Sequence, residues 1–164
     1  DACRPLVGGE TAESFYHKGS VKNVGGTLQD LPLPEGKTLQ TLKAEEDVIT
    51  AFCTFMQRDA ALAEAAMQKL QGIIAALERS PFFASHVFLR TWLLMVYDDE
   101  ARVPSLELKL MNFPFSYALP EGATLTHTEP WDGTADCHED GYLTGMRSLE
   151  RVLAAVAERL KAGK

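Results

Sequence analysis

The sequence is poor in cysteine, in positive charge and in long apolar runs, and each shortage excludes something. Its three cysteines, Cys3, Cys53 and Cys137, are widely spaced, odd in number and without a Cys-x-x-Cys pair, which excludes a disulfide framework and a zinc knuckle. A reducing compartment is therefore expected, either the cytoplasm or an organellar matrix after removal of a presequence. Sixteen Lys plus Arg stand against 23 Asp plus Glu, a net charge of −7. Polyanion binders carry a basic stripe, so nucleic acid is not an expected partner. The longest purely apolar runs, such as Trp92 to Tyr97, are far shorter than the roughly 20 residues of a membrane-spanning helix, so a soluble chain without a membrane span is expected. The sequence opens at Asp1 with neither an initiator Met nor an apolar signal core, as expected of a processed protein or a piece of a longer one.

What is present is ordinary globular composition: 164 residues, 46% hydrophobic and 24% charged, enough for a single domain over 1–164 with a sizeable core. Residues 1–43 are rich in Gly, Pro and Thr and read as loop, with one short strand from Ser20 to Leu28 closed by the Leu31-Pro32-Leu33-Pro34-Glu35-Gly36 turn. Residues 44–79 carry two helices. In the first, Val48, Phe52, Phe55 and Met56 share a face behind the acidic first turn Glu45, Glu46 and Asp47. Asp59 is the expected N-cap of the second, whose Leu62, Ala66, Leu70, Ile73 and Leu77 point one way. Ser80-Pro81 ends it.

Residues 84–113 read as a β-hairpin. Val87 to Tyr97 is rich in β-branched, aromatic and large aliphatic residues, and Leu106, Leu108 and Leu110 alternate with polar or flexible neighbours. Pro114 and Pro120 are expected to stop regular structure, leaving 114–140 as a long acidic loop. A last helix occupies 141–162, with Leu143, Met146, Leu149, Val152, Leu153, Val156 and Leu160 as its buried stripe and Arg159 and Lys161 at the negative end of its dipole. The expected class is α+β, antiparallel strands packed with about three main helices.

Motifs of chemistry are sparse. Gly8-Gly9 and Gly25-Gly26 lack the Lys-Ser/Thr ending of a P-loop, and no Gly-x-Ser-x-Gly elbow occurs. His127, Glu129, Asp132, Asp136, Cys137, His138, Glu139 and Asp140 crowd a stretch without Lys or Arg from Lys109 to Arg147. Their spacing matches neither an EF-hand nor a paired-His zinc site, and they read as a solvated acidic loop with Asp140 near a helix start. His86, on an apolar strand, reads as a hydrogen-bonded core or edge residue without a catalytic role.

Three segments in the second half carry a family resemblance. The strand ending Leu93-Leu94-Met95-Val96-Tyr97-Asp98 resembles the Ser-Leu-Leu-x-x-Tyr-[Asp/Glu] strand of inositol polyphosphate kinases. Lys109-Leu110-Met111-Asn112-Phe113-Pro114-Phe115-Ser116 is similar to that family's Lys-x-Ile-Asp-Phe-Ala-x-Thr strand end. Glu139-Asp140-Gly141-Tyr142-Leu143-Thr144-Gly145-Met146 is similar to its acidic-x-Gly-aromatic-x-x-Gly-Leu helix start. Upstream, Ser20-Val21-Lys22-Asn23-Val24-Gly25 resembles the Gly-Phe-Arg-Ile-x-Gly strand. The resemblance runs over about residues 16 to 160 and implies the C-lobe of such a kinase.

It also implies where the chain departs from the family. Asn112 stands at the position of the family's magnesium-binding Asp, Ser116 at that of its Thr, and Lys22 is the implied anion contact for substrate. The Pro-x-x-x-Asp-x-Lys-x-Gly motif and the ATP-binding N-lobe do not occur in this sequence. Phosphoryl transfer depends chiefly on positioning and charge stabilisation, and a neutral amide contributes no charge. The expectation is a degenerate kinase-like domain, leaning away from enzyme activity and needing no cofactor. It would serve as a structural or interaction subunit beside other protein subunits, with inositol phosphate a possible ligand. The alternative is the C-lobe of an active kinase using ATP and Mg²⁺.

Overall fold

A computed structural model of the chain describes residues 42, 44–56, 59–98, 105–132, 134 and 137–163. The short strand expected at Ser20 to Leu28, and Lys22 with it, lie outside the described residues.

The helices begin where capping chemistry directs. Helix α1 (Glu45–Phe55) opens on three acidic residues, which face the positive end of its dipole. Asp59 accepts the Ala61 N–H at 2.9 Å and starts α2 (Ala60–Glu78), satisfying one of the donors a helix start leaves open. The buried face of α2 is Ala60, Leu62, Ala63, Ala66, Leu70 and Ile74, so the stripe is rotated slightly from the expected one. Ile73 and Leu77 are only partly buried. Small residues on this face let α2 lie close along α4 (Tyr142–Ala162), whose seven expected stripe residues are all buried. The core sits between α1, α2 and α4, with Leu70, Met146, Leu153 and Val156 fully enclosed.

Ser80-Pro81 does more than end α2. The Ser80 side chain accepts the Phe83 N–H at 3.2 Å and Pro81 sits at the first position of a one-turn helix, α3 (Pro81–Ala84). Proline is suited there because its missing N–H would have had no partner. The α+β class and the three long helices are as the sequence predicts, with α3 an addition.

The β region differs from one uninterrupted hairpin. The expected strand from Val87 to Tyr97 is broken into β1 (His86–Leu89) and β2 (Trp92–Asp98). Strand β2 pairs antiparallel with β3 (Ser105–Met111), Trp92 facing Met111 and Asp98 facing Ser105. A strand was not expected after Pro114, yet β4 (Phe115–Ala118) pairs antiparallel with β1, Leu89 facing Phe115 and His86 facing Ala118. The two ladders are thus one antiparallel ribbon with a gap. Arg90 and Thr91 on one side of the gap stand against Asn112, Phe113 and Pro114 on the other. The extra residue and the N–H that Pro114 lacks interrupt the pairing without ending it.

Alternation along the ribbon sets its faces. Leu106 and Leu108 are buried, and Leu93, Met95, Tyr97 and Leu110 pack partly buried against the same core. The Tyr97 hydroxyl donates to the Phe55 carbonyl and its ring meets that of Phe55 edge-on, tying the ribbon to α1. On the opposite face Trp92, Leu94 and Val96 are 47%, 44% and 47% exposed, beside half-exposed Met111 and Phe113. Among the described residues no helix is long and apolar enough to cross a membrane.

Candidate functional site

The gap in the ribbon holds two residues with left-handed backbone, Arg90 and Asn112. Only Arg90, Asn112 and His127, among the described non-glycine residues, have positive φ, at 54°, 65° and 60°. Asn tolerates the left-handed region best of the three, because its short amide can bond locally. Here the Asn112 side-chain Nδ2 donates to the Arg90 carbonyl at 2.9 Å, spanning the gap where ladder bonds are missing. The Arg90 guanidinium lies 5.8 Å from the Phe115 ring centroid, within cation–π range.

Thr91 links the gap to the start of α4. Thr91 is buried, and its hydroxyl donates to the Tyr142 hydroxyl at 3.0 Å. Burial pushes the Tyr142 phenol up to about 12, the Thr91 bond opposing that rise and the Asp140 charge adding to it. Asp140 accepts the Phe88 N–H of β1 at 3.0 Å on Oδ2 and the Tyr142 N–H at 2.9 Å on Oδ1. The helix cap expected near Asp140 is therefore made by its side chain, while the N-cap residue itself is Gly141 at φ 64°.

The acidic stretch is not simply solvated. His127 is 1% exposed and the Asp140 side chain is fully enclosed. The His127 Nδ1 lies 2.9 Å from Asp140 Oδ1, and its Nε2 lies 2.8 Å from the Phe83 carbonyl. The His127 carbonyl accepts the Leu143 N–H at 2.8 Å, and the Thr144 hydroxyl donates to the Thr128 carbonyl at 2.6 Å. Glu139 Oε1 accepts the Thr126 N–H at 2.6 Å, folding the loop onto the start of α4. Asp132, by contrast, is exposed and turns on itself through Thr134, whose N–H and hydroxyl bonds hold its carboxyl below the usual range.

The family description "Inositol polyphosphate kinase" matches residues 29–154. The chain belongs to the inositol polyphosphate kinase family. It is 37% identical over 156 residues to inositol-trisphosphate 3-kinase A of Mus musculus, covering 95% of this chain and 31% of that protein. It is 29% identical over 149 residues to inositol-trisphosphate 3-kinase B of Homo sapiens, covering 90% of this chain and 14% of that protein. The Caenorhabditis elegans inositol-trisphosphate 3-kinase homolog is 28% identical over 149 residues, 90% of this chain and 28% of that protein. The chain thus spans about a third or less of these relatives.

Within this kinase-family lobe, Asn112 lies in the gap and Ser116 lies two residues past it along the same side of the ribbon. Ser116 is on β4 opposite Phe88, and its Oγ is buried without a hydrogen-bond partner among the described residues. The structure does not bring Ser116 into a bond with Asn112. A magnesium ion bridging phosphates asks for anionic oxygen ligands. The side chain at 112 is a neutral amide whose N–H₂ is engaged, and no group of three or more His, Cys, Asp or Glu among the described residues is placed to hold a metal. His86 behaves as expected of a structural histidine, half-buried with Nδ1 at 2.9 Å from the Phe82 carbonyl and its ring stacked on Phe82. The buried His127–Asp140 pair was not evident in the sequence, and its one signal was an Asp-Gly step directly before an apolar helical stripe.

Proposed function

We propose that this inositol polyphosphate kinase-like domain does not transfer phosphate and serves as a structural or interaction module within a larger assembly. One observation carries the reading: Asn112 donates its amide to the Arg90 carbonyl. An aspartate there has no N–H to give and would turn an anionic oxygen toward another acceptor. The corner is built around an amide, at the position where the family resemblance requires a charge. The apolar outer face of Trp92, Leu94 and Val96 supports the interaction half of the proposal, since contiguous apolar patches mark contact surfaces.

A second reading is favoured by the names of the relatives, which are inositol-trisphosphate 3-kinases. In it the chain is the C-lobe of an active enzyme that passes a phosphoryl group from ATP to an inositol phosphate hydroxyl. Asn112, Ser116 and Lys22 would then contact metal, phosphate and substrate. Native isolation of the protein separates the two. The first reading expects stoichiometric companion subunits and no magnesium-dependent ATP turnover on an inositol trisphosphate. Turnover by the isolated protein overturns it.

A further inference from the structure

His127 is buried at 1% exposure, held at φ 60°, and faced by acceptors at both ring nitrogens. Its Nε2 lies 2.8 Å from the Phe83 carbonyl, a group that only accepts. Its Nδ1 lies 2.9 and 3.0 Å from the two oxygens of Asp140. Each of those oxygens also takes a backbone N–H, one from Tyr142 and one from Phe88, so the carboxylate acts as an acceptor throughout. A neutral imidazole has one N–H and would leave one nitrogen lone pair against an oxygen lone pair in a buried site. The ring also stacks on Phe83 with centroids 3.5 Å apart and planes 17° from parallel, an arrangement that attracts a cation to the aromatic face.

We propose that His127 is a doubly protonated imidazolium that clamps α3 and β1 to the start of α4 through Asp140. The clamp has a definite reach. Phe83 belongs to α3, Phe88 to β1 and Tyr142 to α4, and Tyr142 continues the chain of bonds to Thr91 at the gap in the ribbon. Among the described residues, the ring meets those of Phe83 from α3, Phe88 from β1 and Tyr142 from α4, and bonds to Asp140 from the loop. Of these only Asp140 and Tyr142 titrate, and the Tyr142 hydroxyl is turned to Thr91. A buried ion pair that is fully hydrogen-bonded fixes geometry even where it adds little net stability, and breaking one partner leaves an uncompensated charge. The positive φ at His127 is the strain this clamp sustains. The inference does not depend on whether the domain transfers phosphate.

The test is nitrogen-15 NMR of the intact protein at pH 7, with the His127 ring assigned through its own side-chain carbons. The expected spectrum shows a directly bonded proton on both ring nitrogens. A spectrum with one protonated and one bare nitrogen overturns the proposal. In Asp140→Asn the same spectrum should lose one of the two N–H signals, and the Phe88 and Tyr142 amides should exchange with solvent about tenfold faster or more. Leu153, in the middle of α4, should be unchanged. Retention of both ring protons in that variant would show that the carboxylate is not what holds the second one. Should the variant fail to fold, the native spectrum alone decides.

Discussion

Asn112 and Arg90, facing each other across the gap in the β ribbon, are both left-handed and are joined by one bond from the amide of the first to the carbonyl of the second. The bond replaces a missing rung of the ladder. It engages the amide nitrogen and leaves Oδ1, which carries no formal charge, as the side chain's one oxygen. The same residue thereby joins the two strands where the ladder is interrupted.

Asn112→Asp removes the donor and sets a carboxylate against the Arg90 carbonyl. The corner is partly exposed, so water relieves some of the conflict, and the expected loss is about 1 kcal/mol. Urea denaturation checks this, and an unchanged or higher midpoint would show that the amide bond contributes nothing.

Tyr142→Phe leaves the buried Thr91 hydroxyl without its partner and should cost about 1–2 kcal/mol. The same residue sets a pH dependence. Its folded value of about 12 lies above the unfolded value near 10, so the folded state keeps a proton that the unfolded state releases. Its contribution is intact below about pH 10 and falls away between about pH 10 and 12, at most by about 2–3 kcal/mol. Denaturation midpoints should decline through that window in the native protein and decline less in Tyr142→Phe.

Leu153→Ala opens a cavity where α4 meets the other helices, at a side chain with no exposure. The expected loss is about 3 kcal/mol. A loss below about 1 kcal/mol would mean that the core between α1, α2 and α4 closes around the missing atoms.

Gly141→Ala isolates backbone strain from packing. A Cβ at residue 141 would meet nothing nearer than 3.7 Å, but the residue sits at φ 64°. The expected cost is about 1 kcal/mol from the left-handed conformation alone, read as a shift of the thermal midpoint.

The legible and illegible parts of this fold divide along a physical line. Helices α2 and α4 announced themselves because their faces repeat over many turns, and Asp59 and Ser80 marked real boundaries. Strand β4 was illegible because Pro114 and Pro120 bracket only five residues, too few for a period to show. The break at Arg90 was hidden inside an apolar run, since nothing in Leu89-Arg90-Thr91-Trp92 signals left-handed backbone at an arginine. The burial of His127 and Asp140 was hidden for a different reason. The stretch around them is rich in acidic residues and reads as polar, and the rings of Phe83 and Phe88, remote along the chain, together with Tyr142, enclose the pair. The family resemblance singled out Asn112 along with Ser116 and Lys22, but the bond from Asn112 to Arg90 depends on a register that no local pattern reports.

The most direct measurement is magnesium-dependent ATP turnover on an inositol trisphosphate by the full native protein, with any companions removed, across a magnesium titration. The account predicts turnover no greater than that of a protein-free blank at every magnesium concentration. Saturable, magnesium-dependent formation of a tetrakisphosphate would contradict it and would show that an amide at position 112 suffices for phosphoryl transfer.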